Sequence, residues 1–258
     1  MRRTPARWIT KPSAIMIASW LMLLPTYALP GIRLDEAFSV WLCRLTGTAG
    51  VTGAGLIGLA LVGLLVIRAA LSWKHLLQET LVHILVLALV LGGGALANEY
   101  LIKNSLAIPR PNIVWLAEED ALGMAAEQFY ASMSKRERQA HLQQVLTDPS
   151  FDVVRLTPHV REHWIHETGF SLPSGHAFTA MLLATYFLWM GSALVWQRWL
   201  LYLLPGWALL VAWSRVLLGV HRPEDVLWGG LLGIMLGAVA VMVSRRLLRR
   251  WRRVEERL

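Results

Sequence analysis

Six stretches of the chain are dominated by apolar residues over helical lengths: Ala14 to Pro30, Val51 to Leu71, Leu76 to Ala97, Ala177 to Trp196, Trp199 to Leu218 and Val226 to Val243. Each reaches or approaches the roughly 20 apolar residues that a helix needs to cross the hydrocarbon core of a bilayer. The pattern predicts an all-α polytopic membrane protein with six transmembrane helices. One polar stretch interrupts it, 112–170, between the third and fourth spans. Within that insert Glu118 to Ala131 and Ser134 to Leu146 have helix-like composition, and Asp148-Pro149 is a stop signal. The expectation is a single membrane domain, 1–258, carrying residues 112–170 as a small, mostly helical cap. Gly92-Gly93-Gly94 in the third span reads as a place for close helix packing rather than as a phosphate loop.

Composition agrees with the pattern: 55% of the 258 residues are hydrophobic and 16% charged, against about 45–50% apolar in soluble domains. The net charge of +8 raises the question of nucleic acid, and the placement of the cations answers it. Arg2, Arg3, Arg7 and Lys11 precede the first span, Arg68 and Lys74 lie between the second and third, Arg198 between the fourth and fifth, and seven arginines from Arg245 to Arg257 follow the sixth. All fall on one side if the spans alternate, as cytoplasmic loops require. No nucleic-acid partner is expected. Both termini are then cytoplasmic, and the insert, with nine acids and five Lys/Arg, faces outward. Trp8, Trp73, Trp196, Trp199 and Trp251 sit at expected inner boundaries as anchors, and the arginine-rich tail would touch anionic lipid. Met1 to Pro30 also has the look of a signal peptide, and both readings leave the remaining orientation unchanged. The lone Cys43 has no second thiol to pair with. Glu79 and His83, one turn apart in the third span, suggest a proton path or, more simply, snorkelling or an interhelical hydrogen bond near the cytoplasmic end.

Three polar clusters emerge on the outward face. The first contains Lys103 and, seven residues on, Arg110 between Pro109 and Pro111. Cations at a span end often snorkel to headgroups, but two prolines fix the backbone around a guanidinium whose fork of donors suits an oxyanion. The second is Pro173-Ser174-Gly175-His176, just before the fourth span. Pro173 is read in the first helical turn, with the free N–H groups after it pointing at an anion, Ser174 adding a hydroxyl, Gly175 permitting close approach and His176 exchanging a proton. A Ser-Gly pair is otherwise an ordinary cap. The third runs Ser214-Arg215, five residues, His221, three residues, Asp225. His221 and Asp225, four apart, would meet if both lie on one helical face, and Pro223 suggests that the sixth helix starts between them, with the carboxylate taking the Nδ1 proton and leaving Nε2 free to attack. A histidine at a span end is more often structural. Three clusters of ionisable groups on one membrane face nonetheless match a tetrahedral dianion better than scattered surface charge does.

The three clusters together resemble the type 2 phosphatidic acid phosphatase superfamily, whose pattern is Lys, six residues, Arg-Pro; Pro-Ser-Gly-His; and Ser-Arg, five residues, His, three residues, Asp. Every specified position is present. Within that family the nearer likeness is to bacterial phosphatidylglycerophosphatases, through Trp115-Leu116, Phe129-Tyr130, Glu137-Arg138, His163-Trp164 and Glu167-Thr168-Gly169-Phe170 in the insert. The resemblance implies His221 as nucleophile, Asp225 orienting it, His176 as acid and then base, and Lys103, Arg110, Ser174, Gly175 and Arg215 as phosphate ligands. It also implies a multi-pass enzyme of the bacterial cytoplasmic membrane, with its site facing outward, and a lipid phosphate as substrate: phosphatidylglycerol phosphate, phosphatidic acid or undecaprenyl pyrophosphate. Three fixed cations can stabilise a phosphoryl transition state without magnesium, so no metal or other cofactor is expected. A lipid phosphotransferase using the same site, or a non-catalytic lipid-phosphate transporter or receptor, are the competing readings. His141, His159, His163 and His166 are spaced without an evident ligand pattern and are not expected in the site.

Overall fold

The computed structural model describes residues 6–29, 36–67, 72–148, 156–192 and 199–255. Arg2, Arg3, Arg68, Arg198, Arg257, Trp196 and Pro149 of the sequence reading lie outside them. Among the described residues the chain is helical with no strand. Helix α1 (Ala6–Leu21) leads through a 3₁₀ turn (Leu24–Ala28) toward α2 (Glu36–Gly47), and α3 (Val51–Ile67) follows at a sharp bend. The next run is α4 (Trp73–Leu87), a π-turn (Ala88–Gly92), α5 (Gly93–Ala97), a second π-turn (Asn98–Ile102) and α6 (Lys103–Leu106). The insert contributes α7 (Pro111–Glu118), α8 (Ala126–Ser132), α9 (Lys135–Thr147) and α10 (Pro158–His166). Helices α11 (Gly175–Gly191), α12 (Trp199–Leu217) and α13 (Pro223–Glu255) complete the bundle.

Helix α11 is the axis around which the others pack. Every residue from Ala177 to Gly191 except Thr179 and Trp189 is buried, and a helix that is apolar all round can be stable only when enclosed. Helix α13 approaches it through a row of small residues. A Cβ on Gly229 would fall 2.4 Å from the Ser174 carbonyl oxygen, one on Gly233 2.3 Å from that of Phe178, and one on Gly237 2.8 Å from Thr185. Glycines every four residues line one helical stripe and let two backbones meet, the usual device for packing helices in lipid. The triple glycine of the third span behaves this way only in part. A Cβ on Gly94 would strike Phe178 at 2.7 Å, whereas Gly92 and Gly93 have nothing within 4 Å.

The outside of the bundle is apolar. Leu56, Leu59 and Ile67 of α3, Leu81, Leu85 and Leu89 of the α4 run, and Trp228, Met235 and Met242 of α13 are all exposed, a band that water would disfavour and lipid would cover. Two runs among the described residues are long and apolar enough to cross a membrane, Trp73–Glu118 and Pro223–Arg253. The pair Ala37–Gly47 and Val51–Ile67, bent by 62°, makes a third if it is one span, and Tyr202–Leu217 is apolar but shorter. A helix occupies at least part of each of the six expected stretches.

The insert differs from expectation in one respect. Glu118 to Ala131 is not one helix: α7 ends at Glu118, and a turn with positive φ at Asp120 (57°) and Gly123 (62°) intervenes before α8. Ala and Glu propensity favoured a helix there, but Gly123 and the left-handed Asp120 reverse the chain so that Leu122 drops into the cap. The second expected helix is present as α9, started by a capping box between Ser134 and Glu137. The cap has its own core of Ile113, Leu116, Phe129, Leu142, Val160 and Trp164, joined by Leu42 from α2 and by Leu218 and Val220 from the α12–α13 turn. Trp164 Nε1 donates to the Leu218 carbonyl at 2.7 Å. The cap is therefore packed onto the loop that carries His221.

Candidate active site

The residues of the three clusters meet where α6, α11 and the α12–α13 turn converge beneath the cap. Lys103 lies within the helix rather than after it, because the run continues through two π-turns and ends only at Ala107, whose φ is 49°. Arg110 is then the cap residue of α7, with Pro111 opening that helix, a start that the sequence reading did not expect. Its guanidinium is buried and crowded with acceptors: Nε donates to the Gly169 carbonyl at 2.8 Å, and Nη1 lies 2.9 Å from Glu167 Oε2, 3.2 Å from the Val220 carbonyl and 3.2 Å from His221 Nε2.

His221 and Asp225 meet across the start of the helix that Pro223 opens. His221 sits in the turn, and α13 begins at Pro223, so Asp225 occupies its first turn and reaches back. Asp225 Oδ2 accepts from the Arg222 backbone N–H at 2.7 Å, lies 3.3 Å from His221 Nδ1, and accepts a short hydrogen bond from the Ser171 hydroxyl. Asp225 thus caps its own helix while holding the imidazole. With Arg110 donating to Nε2, the proton of a neutral ring belongs on Nδ1, toward Asp225. Burial and then the surrounding Arg110, Arg215 and Lys103 hold the His221 pKa well below the usual histidine value.

Pro173 precedes the helix instead of opening it. Ser174 is the cap residue of α11, its hydroxyl accepting from the Ala177 N–H at 3.5 Å, and its own N–H donates to the Asp225 carbonyl at 2.9 Å. The starts of α11 and α13 are clasped together, with Gly229 leaving room for Ser174. His176 follows on the first turn of α11 and lies beside the α2–α3 bend, where a Cβ on Gly50 would stand 3.7 Å from its Nε2.

Arg215, wholly buried, takes a position that its sequence did not disclose. It donates to Thr46 of α2 at 3.0 Å, lies 3.1 Å from His163 Nε2, and makes a short ion pair with Glu167 Oε1. Glu167 thereby bridges Arg110 and Arg215, one oxygen to each. Burial alone would raise its pKa, but Arg215 and Arg110 hold it well below the ordinary carboxylate range. Burial, followed by Arg215, brings His163 down to about 4. Glu167, His163, Ser171 and Thr46 are the residues missed by motif reading. Only Glu167 and His163 left a trace, in the insert segments that carried the family likeness. His163, which carries no ligand spacing in the sequence, supports Arg215 from behind and does not line the cavity.

Lys103, Arg110, Glu167, Gly175, His176 and His221 line the polar end of a cavity of about 640 Å³. Glu99, Lys135 and His166 also line it, and much of the rest of its wall is apolar, with Ala54, Leu59 and Val62 from α3, Leu87 and Leu91 from the α4 run and Leu183 from α11. Ser174, Asp225 and Arg215 stand behind this surface and hold the residues that reach it.

The family model described as the PAP2 superfamily matches residues 81–249, and the chain belongs to that superfamily. Among curated relatives it is 32% identical over 167 residues to phosphatidylglycerophosphatase B of Escherichia coli K12, covering 64% of this chain and 60% of that protein. The enzyme of the same name from Haemophilus influenzae is 34% identical over 136 residues, covering 51% and 53%. Putative undecaprenyl-diphosphatase YbjG of E. coli K12 is 40% identical over 79 residues, covering 30% and 36%. The chain thus spans less than two thirds of the length of the relatives it matches.

Proposed function

We propose that this protein is an integral membrane lipid phosphatase that removes phosphate from phosphatidylglycerol phosphate, undecaprenyl pyrophosphate, phosphatidic acid or a related lipid through a phosphohistidine intermediate, without a metal. The observation that carries the reading is the two-ended cavity: cations and two histidines at one end, an apolar channel between helices at the other. An amphiphile with a terminal phosphate has that same division. In this reading six spans place the cap, 112–170, and the site outside the bacterial cytoplasmic membrane with both termini inside, as the asymmetry of Lys and Arg suggests.

Arg110, Lys103 and the backbone at Gly175 face the cavity and would take the equatorial oxygens of the phosphoryl group, while Arg215 and the Ser174 hydroxyl would join them only by turning toward it from behind the cavity surface. Arg110 must turn its Nη1 from His221 Nε2 to the phosphate, which uncovers the lone pair it now caps. His221 Nε2 then forms a bond to phosphorus as the bond to the lipid oxygen breaks, and His176 gives that oxygen a proton. Asp225 stabilises the charge that appears on the ring. In the second step neutral His176 takes a proton from water, the water oxygen bonds to phosphorus, the P–N bond breaks, and inorganic phosphate leaves.

Purified protein in detergent should release phosphate from at least one of these lipids, equally well with and without a chelator. The His221→Ala variant should lose that activity. Undiminished release by the variant would remove the covalent mechanism, and phosphate passed to a second lipid instead of water would make the protein a transferase.

A further inference from the structure

The chemistry above uses the deep end of the cavity and leaves its cap-side rim without a role. That rim carries Glu99 from the second π-turn, Lys135 at the start of α9 and His166 at the end of α10. Glu99 links the two levels. Its Oε2 accepts from Lys103 Nζ at 2.8 Å and its Oε1 from Lys135 Nζ at 2.8 Å. One carboxylate therefore holds two ammonium groups, Lys103 buried among the phosphate-facing cations with a side chain 6% exposed, and Lys135 at the rim with 62% exposed.

A surface ion pair of this kind adds little stability, so its placement over the cavity is the informative feature. The Ser134 capping box fixes where α9 begins and with it the origin of the Lys135 side chain. An ammonium has three donors, and Glu99 takes one. Beside it, Gln139 Nε2 is 3.0 Å from His166 Nδ1. With the amide donating, the imidazole keeps its proton on Nε2 as a further donor. The rim thus offers N–H groups to an anion entering above the catalytic cations.

We propose that Lys135, held by Glu99 and joined by His166, is a subsite for a second phosphate in the substrate headgroup. The inference rests on the lipid phosphatase reading. In phosphatidylglycerol phosphate the second phosphate is the phosphodiester, and in a polyprenyl diphosphate it is the phosphate that stays with the leaving lipid. Either one follows the transferred phosphoryl group into the same cavity. Without a cation there it would face the Glu99 carboxylate or an apolar wall, and both are costly for an anion. Phosphatidic acid has one phosphate and nothing to place in the subsite.

The test compares kcat and KM of the full-length protein in mixed micelles on phosphatidylglycerol phosphate, undecaprenyl pyrophosphate and phosphatidic acid, for wild type, Lys135→Gln and Lys135→Arg. Loss of a charge-assisted contact should lower kcat/KM of Lys135→Gln on a two-phosphate lipid by about tenfold, mainly through KM. Phosphatidic acid should change by less than about twofold, and Lys135→Arg should restore the lost part. A loss confined to one of the two-phosphate lipids identifies the headgroup for which the subsite is built. An equal loss on all three would mean that Lys135 acts through Glu99 on Lys103, and that result, or no loss on any, overturns the subsite while phosphatase activity stands. A wild type inactive on all three would remove the phosphatase reading and the subsite with it.

Discussion

Two clusters of buried polar side chains occupy this bundle, and they differ in whether there is room beside them. At the cap end, Arg110, Arg215, Glu167, His221 and Asp225 back onto a cavity. At the other end His83 Nδ1 lies 2.5 Å from the Tyr186 hydroxyl, which lies 2.8 Å from Ser244 Oγ, while Glu79 pairs with Arg252 at 2.7 Å. This second network ties α4, α11 and α13 together and is packed among Val82, Val86, Phe187 and Val241. Both contain histidine, carboxylate and arginine close to lipid. Ionisable groups in a membrane invite a functional reading, but among the described residues the cap-end cluster presents its groups to a space that a substrate could fill, whereas the inner one is packed among apolar side chains. The inner one is what an interhelical hydrogen-bond network looks like.

Removing one arginine from each cluster gives the widest separation. Arg215→Ala removes a buried cation from behind the cavity and leaves Glu167 with Arg110 alone, which ties Arg110 to Glu167 and weakens the positive field at the site, so kcat/KM for phosphate release should fall about 10²–10³-fold. Arg252, with a side chain 61% exposed, belongs to a pair of the kind that contributes little. Arg252→Ala should keep activity within about twofold of wild type. Comparable losses in the two variants would erase the distinction between the clusters.

A second contrast uses the α11–α13 seam, which passes both clusters. A Cβ at Gly229 would meet Ser174 at the site, whereas one at Gly237 would meet Thr185 and the Leu182 carbonyl near the inner network. Both substitutions to Ala should lower Tm, because backbone cannot give way easily at 2.4–2.9 Å. Gly229→Ala should also reduce kcat by about tenfold, since it shifts the clasp between Ser174 and Asp225 and small displacements are costly to positioned chemistry. Gly237→Ala, assayed well below its Tm, should retain kcat. Equal kcat for the two variants would show that the clasp does not position the site.

These contrasts also mark what could be read from the chain alone. The helical class was visible in the apolar stretches, and all eight motif residues were visible in their spacing, because each motif lies at a helix end whose start is written locally in Pro, Ser and Gly. The second layer was not. Glu167, Ser171, His163 and Thr46 reach Arg215 and His221 from α2, α10 and the segment before α11, across separations that no local period encodes. The cap break at Asp120 and Gly123 was missed because helix propensity averages over a window, while two left-handed residues are enough to reverse a chain. The pairing of His221 with Asp225 across a helix start was legible in Pro223, whereas the Ser171 hydroxyl and the Arg222 N–H that also hold the carboxylate were not.

Acid should expose the cap-end cluster more gradually. His221 is held well below the ordinary value of 6.5 by burial and neighbouring cations, so its neutral, attacking form persists as pH falls below that value, and because His176 must carry a proton to give to the leaving oxygen, kcat/KM should not fall on mild acidification from about pH 7. Stability follows the same direction. A histidine with a depressed folded value binds its proton first in the unfolded chain, so folding weakens as pH falls below 6.5, and for His163 this continues to about 4. Glu167 is depressed from 4.5, so its stabilisation is present above that value and is lost as pH falls through the folded value. Tm measured from pH 8 to 4 should therefore decline on the acid side, and His163→Gln should flatten the part between 6.5 and 4. A Tm that rises on acidification would contradict the neutral assignment of both histidines.

The smallest effect belongs to Tyr186→Phe in the inner network. The ring stays, with its edge contacts to His83 and Phe187 at centroid distances of 5.9 and 5.2 Å, and only the hydroxyl is lost. His83 Nδ1 and the Ser244 hydroxyl then lose a shared partner where water cannot easily replace it. The expected cost is about 1 kcal/mol, the usual net value of one hydrogen bond and at the upper part of what interhelical bonds in membranes contribute. It should appear as a modest fall in Tm with phosphate release unchanged. Because Tyr186 and Ser244 share one bond, Ser244→Ala combined with Tyr186→Phe should cost less than the two single changes added together. The opposite pattern, activity lost with Tm unchanged, would make this network a route for protons instead of a tie between helices, and the two clusters would then differ in chemistry and not in room alone.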